Sequence, residues 1–111
     1  MAHRPELRVL DAARMAADEI NGFIKLYRLS NAKQLSQAAE SVSSNIQEGF
    51  GRDVGRDRNR FLFFARGSAE EANDRWRSRF GDKEIPATVY WPVHHRLVTI
   101  SRMLTNLMSD L

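Results

Sequence analysis

Cysteine is missing from the 111-residue sequence, which excludes a disulfide framework and any thiolate metal site. Proline occurs three times and glycine six times. Their main clusters lie at Gly49 to Gly55 and at Gly81 to Pro86. No apolar run reaches the roughly 20 residues that a membrane-spanning helix needs. Apolar and polar residues nowhere alternate over a useful length, so strands are not expected. Met1-Ala2-His3-Arg4-Pro5-Glu6 is polar and charged and lacks the apolar core of a secretory signal, which makes the cytoplasm the expected compartment. A strong excess of one charge is also lacking: 17 Lys and Arg stand against 14 Asp and Glu, for a formal charge of +3. That balance permits contact with phosphates without demanding it.

Long stretches with helical periodicity are present instead, and the length fits one domain, residues 1–111. Leu10, Ala13, Ala17, Ile20, Ile24 and Tyr27 step by three and four, as do Val93, Leu97, Ile100, Leu104, Leu107 and Leu111. Such spacing is the seam of helices packed at a shallow angle. It predicts helices over roughly 8–28, 31–50, 57–80 and 88–110. Asn31 with Gln34 is a candidate capping pair for the second helix, and the glycines after Phe50 should end it. The second helix carries Leu35, Ala38, Val42, Ile46 and either Gly49 or Phe50 inward, and the third carries Phe61, Ala65, Ser68, Ala72 and Trp76. Pro92 belongs either to the first turn of helix four or to a slight kink. Short connections make successive helices antiparallel neighbours. The expected fold is all-α: an antiparallel up-down-up-down four-helix bundle, with Ser41 opposite Gly67 and Ala72 opposite Leu97.

Chemistry-bearing arrangements are few. Ser41, Asn45 and Glu48 share one helical face, with Ser68 and Glu71 on the next helix. This is either a ligand or acid–base cluster, or a set of small polar groups that lets two helices approach. The structural role is preferred, because Gly67 in mid-helix costs about 1 kcal/mol relative to alanine and needs a packing reason. His94 and His95 are adjacent, so they point about 100° apart and do not share one metal ion well. No catalytic residues, metal site, cofactor or small-molecule substrate is indicated. Gly49-Phe50-Gly51-Arg52 reads as a helix terminator rather than a nucleotide loop.

Phe61-Leu62-Phe63-Phe64 covers more of a helix circumference than one core stripe uses. Phe63 and Phe64, with Val9 and Phe23 from a second stripe on helix one (Val9, Ala16, Phe23), are therefore candidate subunit contacts. Cations gather at both ends of the threaded bundle. One end has Arg4, Arg8, Arg52, Arg56, Arg58 and Arg60, diluted by Asp53, Asp57 and Asp110. The other has Lys25, Arg28, Lys33, Arg75, Arg77, Arg79 and Lys83, of which Arg28, Arg75, Arg77, Arg79 and Lys83 are the candidate nucleic-acid contacts.

The segment Ala38-Ala39-Glu40-Ser41-Val42-Ser43-Ser44-Asn45-Ile46-Gln47-Glu48-Gly49-Phe50-Gly51-Arg52, followed by Arg60-Phe61-Leu62 and Ala65-Arg66-Gly67-Ser68, resembles the bacterial four helix bundle proteins. These are also described as 23S rRNA intervening-sequence proteins. Their pattern runs R-A-x-x-S-I-x-x-N-I-A-E-G-x-G-R, then R-F-L-x-x-A-x-G-S-x-x-E. Gln37 stands where an arginine is usual, Gln47 replaces a small residue, and Val54 takes the place of a capping serine. The resemblance implies a homopentameric ring. Some relatives are encoded in rRNA intervening sequences, and others are retroelement accessory proteins that bind nucleic acid and a reverse transcriptase. Two functions stay open at this point: an oligomeric accessory ring for nucleic acid or a nucleoprotein, and a structural ring whose partner is a protein.

Overall fold

The computed structural model describes residues 5–108. Four helices follow one another: α1 (Pro5–Tyr27), α2 (Ala32–Phe50), α3 (Arg56–Gly81) and α4 (Ala87–Leu107). Each start agrees with the expected one to within three residues. Expected helix residues 109 and 110, the seam residue Leu111, and Arg4 lie outside the described residues. Cross-helix contacts run in opposite numerical directions. Arg66 meets Thr105 and Trp76 meets Tyr90 between α3 and α4, whereas Ser41 meets Ser68 and Gly49 meets Leu62 between α2 and α3. The bundle is therefore antiparallel, with each helix backbone lying alongside its two neighbours and the diagonal between α1 and α3 spanned by side chains, Phe23 and Trp76 among them.

The core is built from the expected stripes of α2 and α4: Leu35, Ala38, Val42, Ile46 and Gly49, and Val93, Leu97, Ile100 and Leu104. Two stripes differ from expectation. On α3 the buried line is Leu62, Ala65, Ala69, Ala72 and Trp76, while Phe61 and Ser68 are half-buried on the α2 side. On α1, Val9 and Ala16 are core residues beside Ala13, Ala17 and Ile20, with Val9 0% exposed. Val9 is thus not a subunit contact. A helix wedged between two neighbours buries a stripe wider than a single seam, and the second stripe fills that width. Phe23 is half-buried and packs on the Trp76 ring at 6.0 Å between centroids.

The helix ends use backbone geometry that composition does not announce. The Leu29 amide bonds back to the Ile24 carbonyl at 3.2 Å with Arg28 at φ 52°, and the Glu84 amide bonds to the Arg79 carbonyl at 2.9 Å with Lys83 at φ 61°. Both are Schellman closures with a cationic residue where glycine is usual, and Leu29 supplies the buried apolar contact of the first. Asn31 also lies in the left-handed region and makes no side-chain cap bond, so the Asn31–Gln34 capping pair does not form. Gly51, which ends α2, has a right-handed conformation. The glycine that needs its freedom is Gly55, at φ 146° before α3. Pro92 lies inside α4, beyond its first turn.

Candidate functional site

The family-like segments of α2 and α3 meet in one tight seam. Ser41 Oγ lies 2.9 Å from Ser68 Oγ, and Asn45 Nδ2 donates to the Ser41 carbonyl at 2.9 Å and to Ser41 Oγ at 3.0 Å. A β-carbon at Gly49 would sit 3.2 Å from Leu62 Cδ2, 3.3 Å from Phe61 Cβ and 3.4 Å from the Arg58 carbonyl oxygen. Gly49 is the residue that lets the two helices approach. Gly67, expected in that role opposite Ser41, is exposed, and a β-carbon there would meet nothing within 4 Å. Ser68, one residue on, takes the contact because Gly67 points away from the bundle axis. Glu48 also leaves the cluster: it is exposed and pairs with Arg52 at 2.8 Å. Serine hydroxyls satisfied by each other and by an amide, with no acid or base among them, hold helices together rather than perform chemistry.

The end formed by the connections 28–31 and 82–86 carries most of the cations singled out from the sequence, but their states differ. Arg79 is 7% exposed, and its guanidinium donates to Glu84 Oε2 at 2.8 Å and to Asp82 Oδ2 at 3.1 Å. It is a structural residue and not a nucleic-acid contact. Glu84 also accepts from the Ser30 amide at 2.8 Å and the Ser30 hydroxyl at 2.6 Å, which ties the two connections together. Those Ser30 bonds, with Arg79 beside them, hold the Glu84 carboxyl below its ordinary pKa. Arg75 pairs with Glu71 at 3.2 Å and Arg77 with Asp74 at 3.3 Å. Lys25, Arg28, Lys33 and Lys83 are exposed, and among the described residues no ion pair engages them.

Near this end His94 Nδ1 lies 3.1 Å from Asn73 Oδ1. The Tyr90 hydroxyl lies 3.3 Å from the same nitrogen. Burial pushes the His94 pKa down, and the His95 and Arg77 charges add to the effect. No group of three or more potential metal ligands exists among the described residues. Phe80 and Tyr90 stack at 4.3 Å, with Trp91 edge-on to both and 47% exposed.

The outward face of α3 is mostly charged, and one apolar patch interrupts it. Phe63 and Phe64 are 55% and 45% exposed. At 100° per residue, Gly67 falls between them in angle, one turn further along. Between α3 and α4 lies a polar groove lined by Arg66, Glu70, Ser101, Arg102, Thr105 and Asn106. Sequence reading passed over it, although a signal existed. If Ala72 stands opposite Leu97, antiparallel threading brings Arg66 to the height of Arg102 and Met103.

Among the described residues no helix is long and apolar enough to cross a membrane. The fold and its seam define the class: a four-helix bundle whose signature residues lock α2 to α3. The sequence profile of the 23S rRNA-intervening sequence proteins matches residues 5–106, and the chain belongs to that family. A solved structure from Bacteroides thetaiotaomicron VPI-5482, a protein of unknown function from the S23 ribosomal protein family, superposes with a TM-score of 0.84. The two are 18% identical, and the match covers 96% of this chain and 100% of that one, a likeness of fold. No curated protein matches the chain.

Proposed function

We propose that this chain is a non-enzymatic binding protein that works in the cytoplasm as a ring of identical subunits and holds nucleic acid or a nucleoprotein. The outward face of α3 carries the reading. An exposed mid-helix glycine costs about 1 kcal/mol relative to alanine, and nothing inside the subunit offsets that cost at Gly67. Flanked by Phe63 and Phe64, it forms a notch in which the backbone of another copy can lie close. A closed ring needs a head-to-tail contact, for which at least about 1,000 Å² of total buried surface is expected. The five-fold arrangement would repeat Lys25, Arg28, Lys33 and Lys83 around one face, with Arg75 and Arg77 behind them, as a positive annulus for a phosphate backbone.

One observation favours the second reading, a ring that binds a protein. Arg75, Arg77 and Arg79 each have a carboxylate partner, which leaves less charge at that end than its arginines suggest. Two measurements decide. Sedimentation equilibrium should give an oligomer that Phe63→Ser with Phe64→Ser dissociates, and a parent protein that is monomeric at micromolar concentration removes the ring. Binding to unrelated DNA and RNA should weaken steeply with salt. No retention at low salt puts the protein-binding reading ahead.

A further inference from the structure

We propose that the groove between α3 and α4 is a binding site for a phosphate group. Arg66 is held there from two sides. Its guanidinium donates to Thr105 Oγ1 at 3.0 Å and lies 5.2 Å from the centre of the Phe63 ring. Thr105 is itself fixed, because its hydroxyl donates to the Ser101 carbonyl at 3.0 Å and accepts from Arg66. Arg66 therefore presents its remaining N–H groups with little rotamer freedom left to lose, which lowers the entropic cost of binding.

Arg102 lines the same groove and is exposed, with Ser101 and Asn106 adding a hydroxyl and an amide. Among the described residues no carboxylate lies within ion-pair distance of Arg66 or Arg102. Half-buried Arg66 and exposed Arg102 line the groove from opposite helices. A planar guanidinium matches two oxygens of a phosphate at once, which a lysine does not. Glu70 is the one carboxylate on the groove wall, and it sets a limit on how much negative charge the site accepts.

The phosphate can belong to a nucleic-acid backbone or to a free phosphate species. In the first case the groove deepens the nucleic-acid reading above, by naming a contact away from the basic end. Titration of the full chain with inorganic phosphate at low salt, and with a short oligothymidylate, separates the two sources. Arg66→Gln and Arg102→Gln should each weaken binding about tenfold, the loss of one charge-assisted contact. For the oligonucleotide each should also reduce the salt slope by about one. Thr105→Val should weaken binding without any change in net charge, and Glu70→Gln should tighten it. Arg14→Gln, the same charge change on the outside of α1, should do neither. Phosphate binding without oligonucleotide binding upholds the groove and removes the nucleic-acid reading. Oligonucleotide binding that survives both arginine changes, or that Arg14→Gln weakens equally, overturns the groove and leaves the reading. A parent protein that binds neither probe overturns the proposal.

Discussion

At Gly49 a β-carbon would press on Leu62 at 3.2 Å and on Phe61 at 3.3 Å, while at Gly67 it would meet nothing within 4 Å. Both glycines belong to the family-like segments, and both lie in helices. Gly49 lies in the last turn of α2 and Gly67 in the middle of α3, and the compensation for each glycine differs. At Gly49 the α2–α3 seam supplies it inside the subunit. At Gly67 no atom of the subunit does, and two half-exposed phenylalanines stand beside it. A glycine in a helical pattern therefore marks a close approach without saying whose. Leu62 and Phe63 repeat the contrast: neighbours in sequence, one wholly buried and the other 55% exposed.

The contrast is broken most directly at those neighbours. Leu62→Ala should destabilise the fold by about 2–5 kcal/mol, through lost burial and a cavity against Gly49. Phe63→Ala should change subunit stability by less than about 0.5 kcal/mol and should lower the oligomeric mass. Denaturant unfolding and light scattering on both variants check the pair. Equal destabilisation would remove the distinction between seam and outward face.

At the glycines, Gly49→Leu should cost about 1–3 kcal/mol by overpacking. Gly67→Ala should raise subunit stability by up to about 1 kcal/mol, the ordinary helix-propensity gain, while weakening self-association. A Gly67→Ala protein that is more stable and fully assembled would leave the notch without a use.

The end connections give a smaller, pH-dependent effect. The carboxyl of Glu84 is held below its ordinary value of 4.5 by Ser30 and Arg79. Its contribution is therefore present above that value and is lost as pH falls through the lower folded one. Glu84→Gln should be less stable than the parent near neutrality, and the difference should shrink on acidification below about pH 4.5. Thermal unfolding across pH 3 to 7 measures it. Asp57, lowered by Arg60 and Arg52 at the other end, should keep its own acid sensitivity in the variant. Lys83→Gly should stabilise by up to about 1 kcal/mol, because it relieves a left-handed residue that carries a β-carbon.

Much of the fold was legible because periodicity is local. The stripes Leu35–Ala38–Val42–Ile46 and Val93–Leu97–Ile100–Leu104 identify two core faces with no knowledge of partners. Alanine-rich α1 misled, since Val9 and Ala16 look like surplus until two flanking helices widen the stripe they bury. The phenylalanine run on α3 shifted the expected core by one residue, from Phe61 to Leu62. Adjacent apolar residues cannot reveal which of them faces inward; the tightest packing against Gly49 decides.

The candidate surfaces were less legible, because charge becomes functional only through its surroundings. Arg75, Arg77 and Arg79 look like three equivalent cations in sequence. Folding buries Arg79 against Asp82 and Glu84 and pairs the other two along α3. Arg66 and Arg102 stand on different helices with nothing local in the sequence to join them.

Helix number, order, antiparallel threading and the identity of the seam segment were set by the sequence alone, because each follows from spacing within a few turns or from the shortness of a connection. Tertiary structure alone decided that Gly49 and not Gly67 carries the close approach, that Arg28 and Lys83 end helices in the left-handed region, and that Arg66 and Arg102 share a groove. These are facts of which atoms come within a few ångströms across different helices. That distance depends on the rotation of each helix about its own axis, which a pattern of threes and fours leaves uncertain by a residue.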